Sequence, residues 1–151
     1  MSSEGMKILA DNRKARHEYT IEDSLEVGIV LVGTEVKSLR AAKFAFNDAH
    51  GQIKNGEVWL HSLQISPYDF ASSQNHEPLR PRKLLLHRAE IQKLSRKVDE
   101  RGYTLIPLKF YLKNGKVKIL LGLCRGKKLH DKRASIKDRD IKRDMARESR
   151  L

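Results

Sequence analysis

The chain has 151 residues, of which 39% are hydrophobic and 33% charged, with a formal net charge of +12 and a pI of about 10.0. That length suits one compact domain plus an appendage, and a basic excess of this size points to a polyanion: nucleic acid first, an anionic membrane surface second, an acidic protein third. The single cysteine, Cys124, excludes an internal disulfide, no run approaches the roughly 20 apolar residues of a membrane helix, and residues 1–19 lack the apolar core of a signal peptide, so a cytoplasmic protein with no membrane partner is expected.

In chain order, residues 1–16 read as an irregular N-terminal arm, polar and then basic at "NRKARHEY". From His17 to Val32 the β-branched residues are dense and alternation is partial, which predicts one long or two short strands, with Gly28 marking a bulge or bend. In "GTEVKSLRAAKFAF" Gly33 ends the strand, Thr34 can cap a helix, and apolar residues then recur at helical spacing. A short helix over 35–42 follows, its charged face carrying Glu35, Lys37 and Arg40 at least partly outward.

Asn55-Gly56 and Asn114-Gly115 each sit between apolar runs, the strongest short-range signal of a β-hairpin. Two such hairpins in one small domain favour an antiparallel, barrel-like structure. Between them "SPYDFASSQNHEPLRPRK" reads as a loop that ends in a basic corner of Arg80, Arg82 and Lys83. Leu84, Leu85, His87, Ile91, Leu94 and Val98 then give a helical stripe that Gly102 would terminate. Lys116 and Lys118 alternate on one strand and so face the same side. Cys124, in the apolar run "KILLGLC", reads as a buried hydrophobe. The domain plan is therefore an arm (1–16), a mainly β body with short helices and an antiparallel, barrel-like sheet (17–128), and a basic tail (129–151).

From Gly126 onward ten Lys or Arg stand against five Asp or Glu, a local excess of +5. Ser135 can cap a helix there, but the apolar line of Ala134, Ile141 and Met145 is narrow, and like charges recur at i,i+4. A tail of that pattern is marginal as a free helix and can order against a partner; its other reading is a solubilising tail without one.

Chemistry-bearing motifs are thin. "GLCRGKK" has three residues between its glycines and no Ser or Thr after the lysine, so it misses the phosphate-loop pattern. The six histidines lack metal-ligand spacing, no Gly-x-Ser-x-Gly elbow occurs, and no acidic pair stands at motif spacing. No catalytic residue, metal or cofactor is expected, and the chain reads as a binding protein rather than an enzyme. The basic groups, each unremarkable alone, sum to a surface that can track RNA phosphates.

Five strings in order, "NRKARHEY", "GTEVKSLR", "RKLLLH", "LKNGKVK" and "RGKKLHDKR", closely resemble the small protein B family, the SsrA-binding proteins of bacteria. The resemblance runs from about Asp11 to the C-terminus. It implies an OB-type barrel with flanking helices and a C-terminal tail disordered when free, and an accessory factor of trans-translation. Such a protein binds the tRNA-like part of transfer-messenger RNA, acts with elongation factor Tu to bring it to stalled ribosomes, and is expected to be a monomer.

The resemblance implies RNA contacts at Glu35, Leu85 and Lys118, then at Asn12, Arg13 and Lys14, with Lys37 and Arg40 beside Glu35. Glu35 can accept from base amino groups or 2′-hydroxyls or orient a neighbouring Lys or Arg, and Leu85 can support an unstacked base or serve in the core. It also implies that the tail enters the empty mRNA channel of the ribosome and becomes helical there. His130, Asp131, Lys132 and Arg133 would lie near the decoding centre of the small-subunit rRNA, and Lys137, Arg139, Lys142 and Arg143 along the channel. The competing readings are a ribosomal structural protein or a general RNA-binding protein, and, in another class, a nuclease on an OB-like barrel, for which the sequence offers no site.

Overall fold

The computed structural model describes residues 6–69 and 75–126. The expected tail, 129–151, with all its candidate residues from His130 to Arg143, lies outside the described residues, as does the end of the body near Lys128. The elements run β1 (Met6–Asp11), α1 (Arg13–Glu18), β2 (Tyr19–Ile29), α2 (Gly33–Arg40), β3 (Phe44–Ala45), β4 (His50–Lys54), β5 (Glu57–His61), β6 (Gln64–Ile65), β7 (Arg82–Leu85), α3 (Arg88–Arg101), β8 (Thr104–Lys113) and β9 (Lys116–Gly126).

The large sheet has the order β1-β8-β4-β5-β7-β2-β9, and β8 also pairs with β9. That last pairing closes β8, β4, β5, β7, β2 and β9 into a ring in which all the neighbours are antiparallel. Closure removes the unpaired edges that an open sheet would expose. The mainly β, barrel-like architecture read from the sequence is thus the observed one.

Both Asn-Gly turns form as expected. Asn55 and Gly56 take φ of 52° and 75°, and Asn114 and Gly115 take 52° and 79°. A two-residue turn with both φ values positive matches the twist of its flanking strands, and glycine adopts it without a Cβ penalty.

Inside the ring, alternate residues of each strand meet. Val58, Leu60, Leu84, Leu105, Phe110, Ile119, Leu121 and Leu123 are buried in one core, with Leu39 of α2 and Leu94 of α3 joining them. Each such side chain contributes about 1.5–3 kcal/mol on burial. Phe44 and Phe46 lean on Phe110 at centroid distances of 5.3 and 5.5 Å, which seats the β3–β6 pair against the barrel.

Four expectations are corrected. Residues 6–18 are not an irregular arm: β1 pairs with β8 from Met6↔Lys113 to Asp11↔Lys109, and α1 follows. The helical stripe expected from Leu84 begins late, because Leu84 and Leu85 lie on β7 and α3 starts at Arg88; Gly102 does end it, at φ 66°. The irregularity in β2 falls between Ile21 and Asp23, not at Gly28. Gly28 instead lets a neighbour approach, since a Cβ there would meet the Leu85 Cβ at 3.3 Å. Finally, α2 spans Gly33–Arg40 with Val32 at the N-cap, and the Thr34 hydroxyl bonds His76 rather than the helix.

Candidate nucleic-acid interface

Strand register decides which candidates meet. Gly28 of β2 lies opposite Leu85 of β7 on one side and Lys118 of β9 on the other. Lys118 is in turn opposite Tyr111 of β8. A cleft of about 350 Å³ results, lined by Gly28, Val36, Leu85, Lys116 and Lys118 among others. Leu85 is 51% exposed, so it is an outward apolar step and not a core residue. Lys116 and Lys118 flank it from one strand face, as their alternation required. Arg40 reaches the rim of the same region, its Nη2 donating to the Gly115 carbonyl at 3.4 Å. An apolar shelf with cations at its edge offers a base something to rest on and phosphates something to pair with.

Glu35 lies under this surface rather than on it, which corrects the outward placement expected for its helix face. Its side chain is 0% exposed. Arg82 donates from Nε to Glu35 Oε2 at 2.7 Å, and Arg80 donates from Nε to the same oxygen at 3.0 Å and from Nη2 to Oε1. The Val32 N–H donates to Glu35 Oε1 at 2.9 Å, so the carboxylate also caps α2. Arg82 is equally buried, and its remaining N–H groups go to the carbonyls of Leu63 at 2.6 Å and Pro78 at 3.1 Å. Burial pushes the Glu35 carboxyl up, but the bonds from Arg80, Val32 and Arg82 outweigh it and hold the group below its usual range. The carboxylate has no free face to offer RNA; it fixes the segment that carries Arg80 and leads into β7. The expected basic corner is accordingly split, with Arg82 inside, Arg80 partly exposed, and Lys83 paired to Glu57 at 2.5 Å.

Next to it His76 joins the same anchoring. Its Nε2–H donates to the Ile65 carbonyl at 2.8 Å, which leaves Nδ1 to accept from the Thr34 hydroxyl at 2.8 Å. Lys37 is exposed on α2, its Nζ 5.3 Å from the Tyr68 ring centre.

Of the N-terminal candidates, Asn12 and Lys14 line a different cleft, with Ala49, His50 and Thr104. Asn12 is not available for a ligand. It is buried, its Oδ1 accepts the Ala15 N–H at 3.1 Å as the cap of α1, and its Nδ2 donates to the Pro107 carbonyl at 2.8 Å. Arg13 and Lys14 are exposed, and Lys14 reaches Asp48 at 3.4 Å.

One residue on the Leu85–Lys118 face escaped the sequence reading. Glu26, two residues before Gly28 on β2 and so on the same face, accepts from the Tyr111 hydroxyl at 2.6 Å and from Lys113 at 3.3 Å. The Tyr111 bond, opposed by partial burial and aided by Lys113 and Lys118, holds its carboxyl below the usual range. Its signal was the alternation of β2 itself, Glu26-Val27-Gly28, with Val27 in the core.

Among the described residues no group of His, Cys, Asp or Glu could hold a metal ion, and no helix is long and apolar enough to cross a membrane. Cys124 is buried, and burial, opposed by Arg16, pushes its thiol up to about 11.

Comparison with known proteins gives the family. The SmpB protein family matches residues 9–151. The SsrA-binding protein of Treponema denticola is 57% identical over 151 residues, covering 100% of this chain and 98% of the relative. That of Desulfitobacterium hafniense is 55% identical over 150 residues, covering 99% and 96%. A solved structure described as "tmRNA-SmpB: a journey to the center of the bacterial ribosome" superposes with a TM-score of 0.68 at 47% identity, over 84% of this chain and 93% of that one. Strand order, surface chemistry and these matches along nearly the whole length lead to one conclusion: the chain belongs to the SmpB family of SsrA-binding proteins.

Proposed function

We propose that this protein binds the tRNA-like part of transfer-messenger RNA through the face formed by Leu85, Lys116 and Lys118, with Glu26 and Arg40 at its margin, and serves trans-translation on stalled ribosomes. The observation that carries the reading is the exposed Leu85, facing Lys118 across Gly28 in one cleft with Lys116, in a chain 57% identical to an SsrA-binding protein. Lys116 and Lys118 neutralise phosphates, and Leu85 gives an apolar support for an unstacked base. Glu26 repels a misplaced backbone and can accept from a base amino group or a 2′-hydroxyl. Arg13, Lys14 and Lys37 add positive charge elsewhere on the surface. Glu35 and Asn12 act beneath it, as positioning residues.

In this reading the protein performs no chemistry and acts in the cytoplasm as an accessory that brings the RNA to the ribosome together with elongation factor Tu. The basic tail, from His130 through Arg143, enters the empty mRNA channel, where its six Lys and Arg side chains meet rRNA phosphates. The test is a titration of labelled tRNA-like domain with wild type and with Leu85→Ala and Lys118→Ala. Loss of affinity in both variants with an unchanged fold is expected. Unchanged binding would move the interface elsewhere.

A further inference from the structure

A second outward face of the barrel carries chemistry that the Leu85–Lys118 cleft does not use. On β5 the side chains alternate strictly: Val58 and Leu60 are in the core, while Glu57, Trp59 and His61 point outward and are half-buried. Register places Gln52 of β4 and Lys83 of β7 on either side of Trp59, and His50 opposite His61. The two imidazoles stack, with ring centroids 5.7 Å apart and planes inclined by 23°. The Nδ1–H of His50 donates to the Asp48 carbonyl at 3.0 Å, which fixes that ring. A cleft of about 390 Å³ opens along Trp59, His61, Gln52 and Lys54.

We propose that the outward face of β4 and β5 is a second nucleic-acid site, a stacking platform for the bases of a single-stranded RNA segment. Trp59 and His61 offer flat π faces two residues apart on one strand. Lys54 supplies positive charge for the backbone, Lys83 beside Trp59 is paired to Glu57 and must exchange that partner for a phosphate, and Gln52 opposite Trp59 can hydrogen-bond a base edge. A duplex cannot use this arrangement, because its bases are already stacked on one another. An acidic peptide would be drawn by the lysines but would leave the indole without a planar partner. The proposal rests on the reading of the protein as an RNA binder, and it assigns a contact that the Leu85–Lys118 face does not make.

Trp59 is the chain's one tryptophan, so its fluorescence reports on this site alone. The full-length protein is titrated with a short oligouridylate and, separately, with inorganic polyphosphate, while anisotropy of a labelled oligouridylate follows total binding. Saturable quenching by the oligouridylate but not by polyphosphate is expected. Trp59→Ala should weaken oligouridylate binding about tenfold, Trp59→Phe should restore it to within about twofold, and His61→Ala should weaken it by a smaller factor. Because these side chains point outward, circular dichroism should be unchanged. Binding without quenching, equal quenching by polyphosphate, no binding at all, or full affinity in Trp59→Ala would each overturn the platform. Failure here is separable from failure of the proposed function: Leu85→Ala would still abolish recognition of the tRNA-like domain if that reading alone is right.

Discussion

Glu35 and Arg82, 47 positions apart in the chain, meet as a fully buried ion pair with Arg82 Nε 2.7 Å from Glu35 Oε2. The pair ties the N-terminus of α2 to the start of β7, and through Leu63 and Pro78 it also holds the segment between. Removing one member leaves a charge in the interior without compensation, which costs about 3–5 kcal/mol. Glu35→Ala should therefore lower the urea midpoint sharply. Its effect on RNA binding should follow the loss of folded protein and not precede it.

The same pair sets an acid limit. The Glu35 carboxyl is held below its usual range in the folded state. Its contribution is complete above the unfolded pKa of about 4.3 and is lost as pH falls through the lower folded value. Stability measured in urea should carry the pair's full contribution near neutral pH, where it does not vary with pH, and should decline below about pH 4. The gap between wild type and Glu35→Gln should narrow over that acid range.

Asn12→Ala removes the cap of α1 and leaves the buried Pro107 carbonyl without its donor. A loss of about 1–2 kcal/mol in unfolding free energy is expected. RNA affinity of the folded fraction should be unchanged, in contrast to a contact residue.

Glu26→Gln removes a negative charge from the Leu85–Lys118 face, proposed to bind RNA, while keeping the Tyr111 hydroxyl a partner. Affinity for ordinary tRNA should rise, and the preference for the tRNA-like domain should fall. Parallel titrations with the two RNAs check both directions.

Cys124 should resist a thiol reagent at pH 8 in the native protein and react fully in denaturant. Its thiol is buried and pushed up to about 11, so little thiolate is present and none is accessible.

Local chemistry made much of this fold legible. Asn55-Gly56 and Asn114-Gly115 announce their turns because few residue pairs tolerate two positive φ values. Gly102 announces the end of α3 for the same reason. Leu84 and Leu85 were assigned to the helical stripe because a short apolar run satisfies a helix as well as a strand; pairing with Val58 and Gly28 puts them on β7. β1 was hidden because its partner, β8, lies about a hundred residues away and its own sequence is half exposed. Arg82 looked like a surface cation because nothing near it in sequence neutralises it, and its burial depends on Glu35 arriving from α2. Of the candidate site, Leu85 and Lys118 do converge, whereas Glu35 is buried against Arg82 and Asn12 is buried elsewhere as the cap of α1.

The central claim is selective recognition of one RNA by the Leu85–Lys118 face, and it is tested most directly by titrating the tRNA-like domain of transfer-messenger RNA and an ordinary tRNA of similar size at physiological salt. Wild type should prefer the first. Leu85→Ala should lose that preference while remaining folded, and Lys118→Ala should weaken binding and reduce the salt slope by about 1. Equal binding to both RNAs, with Leu85→Ala indistinguishable from wild type, would contradict the account and reduce the protein to a general polyanion binder.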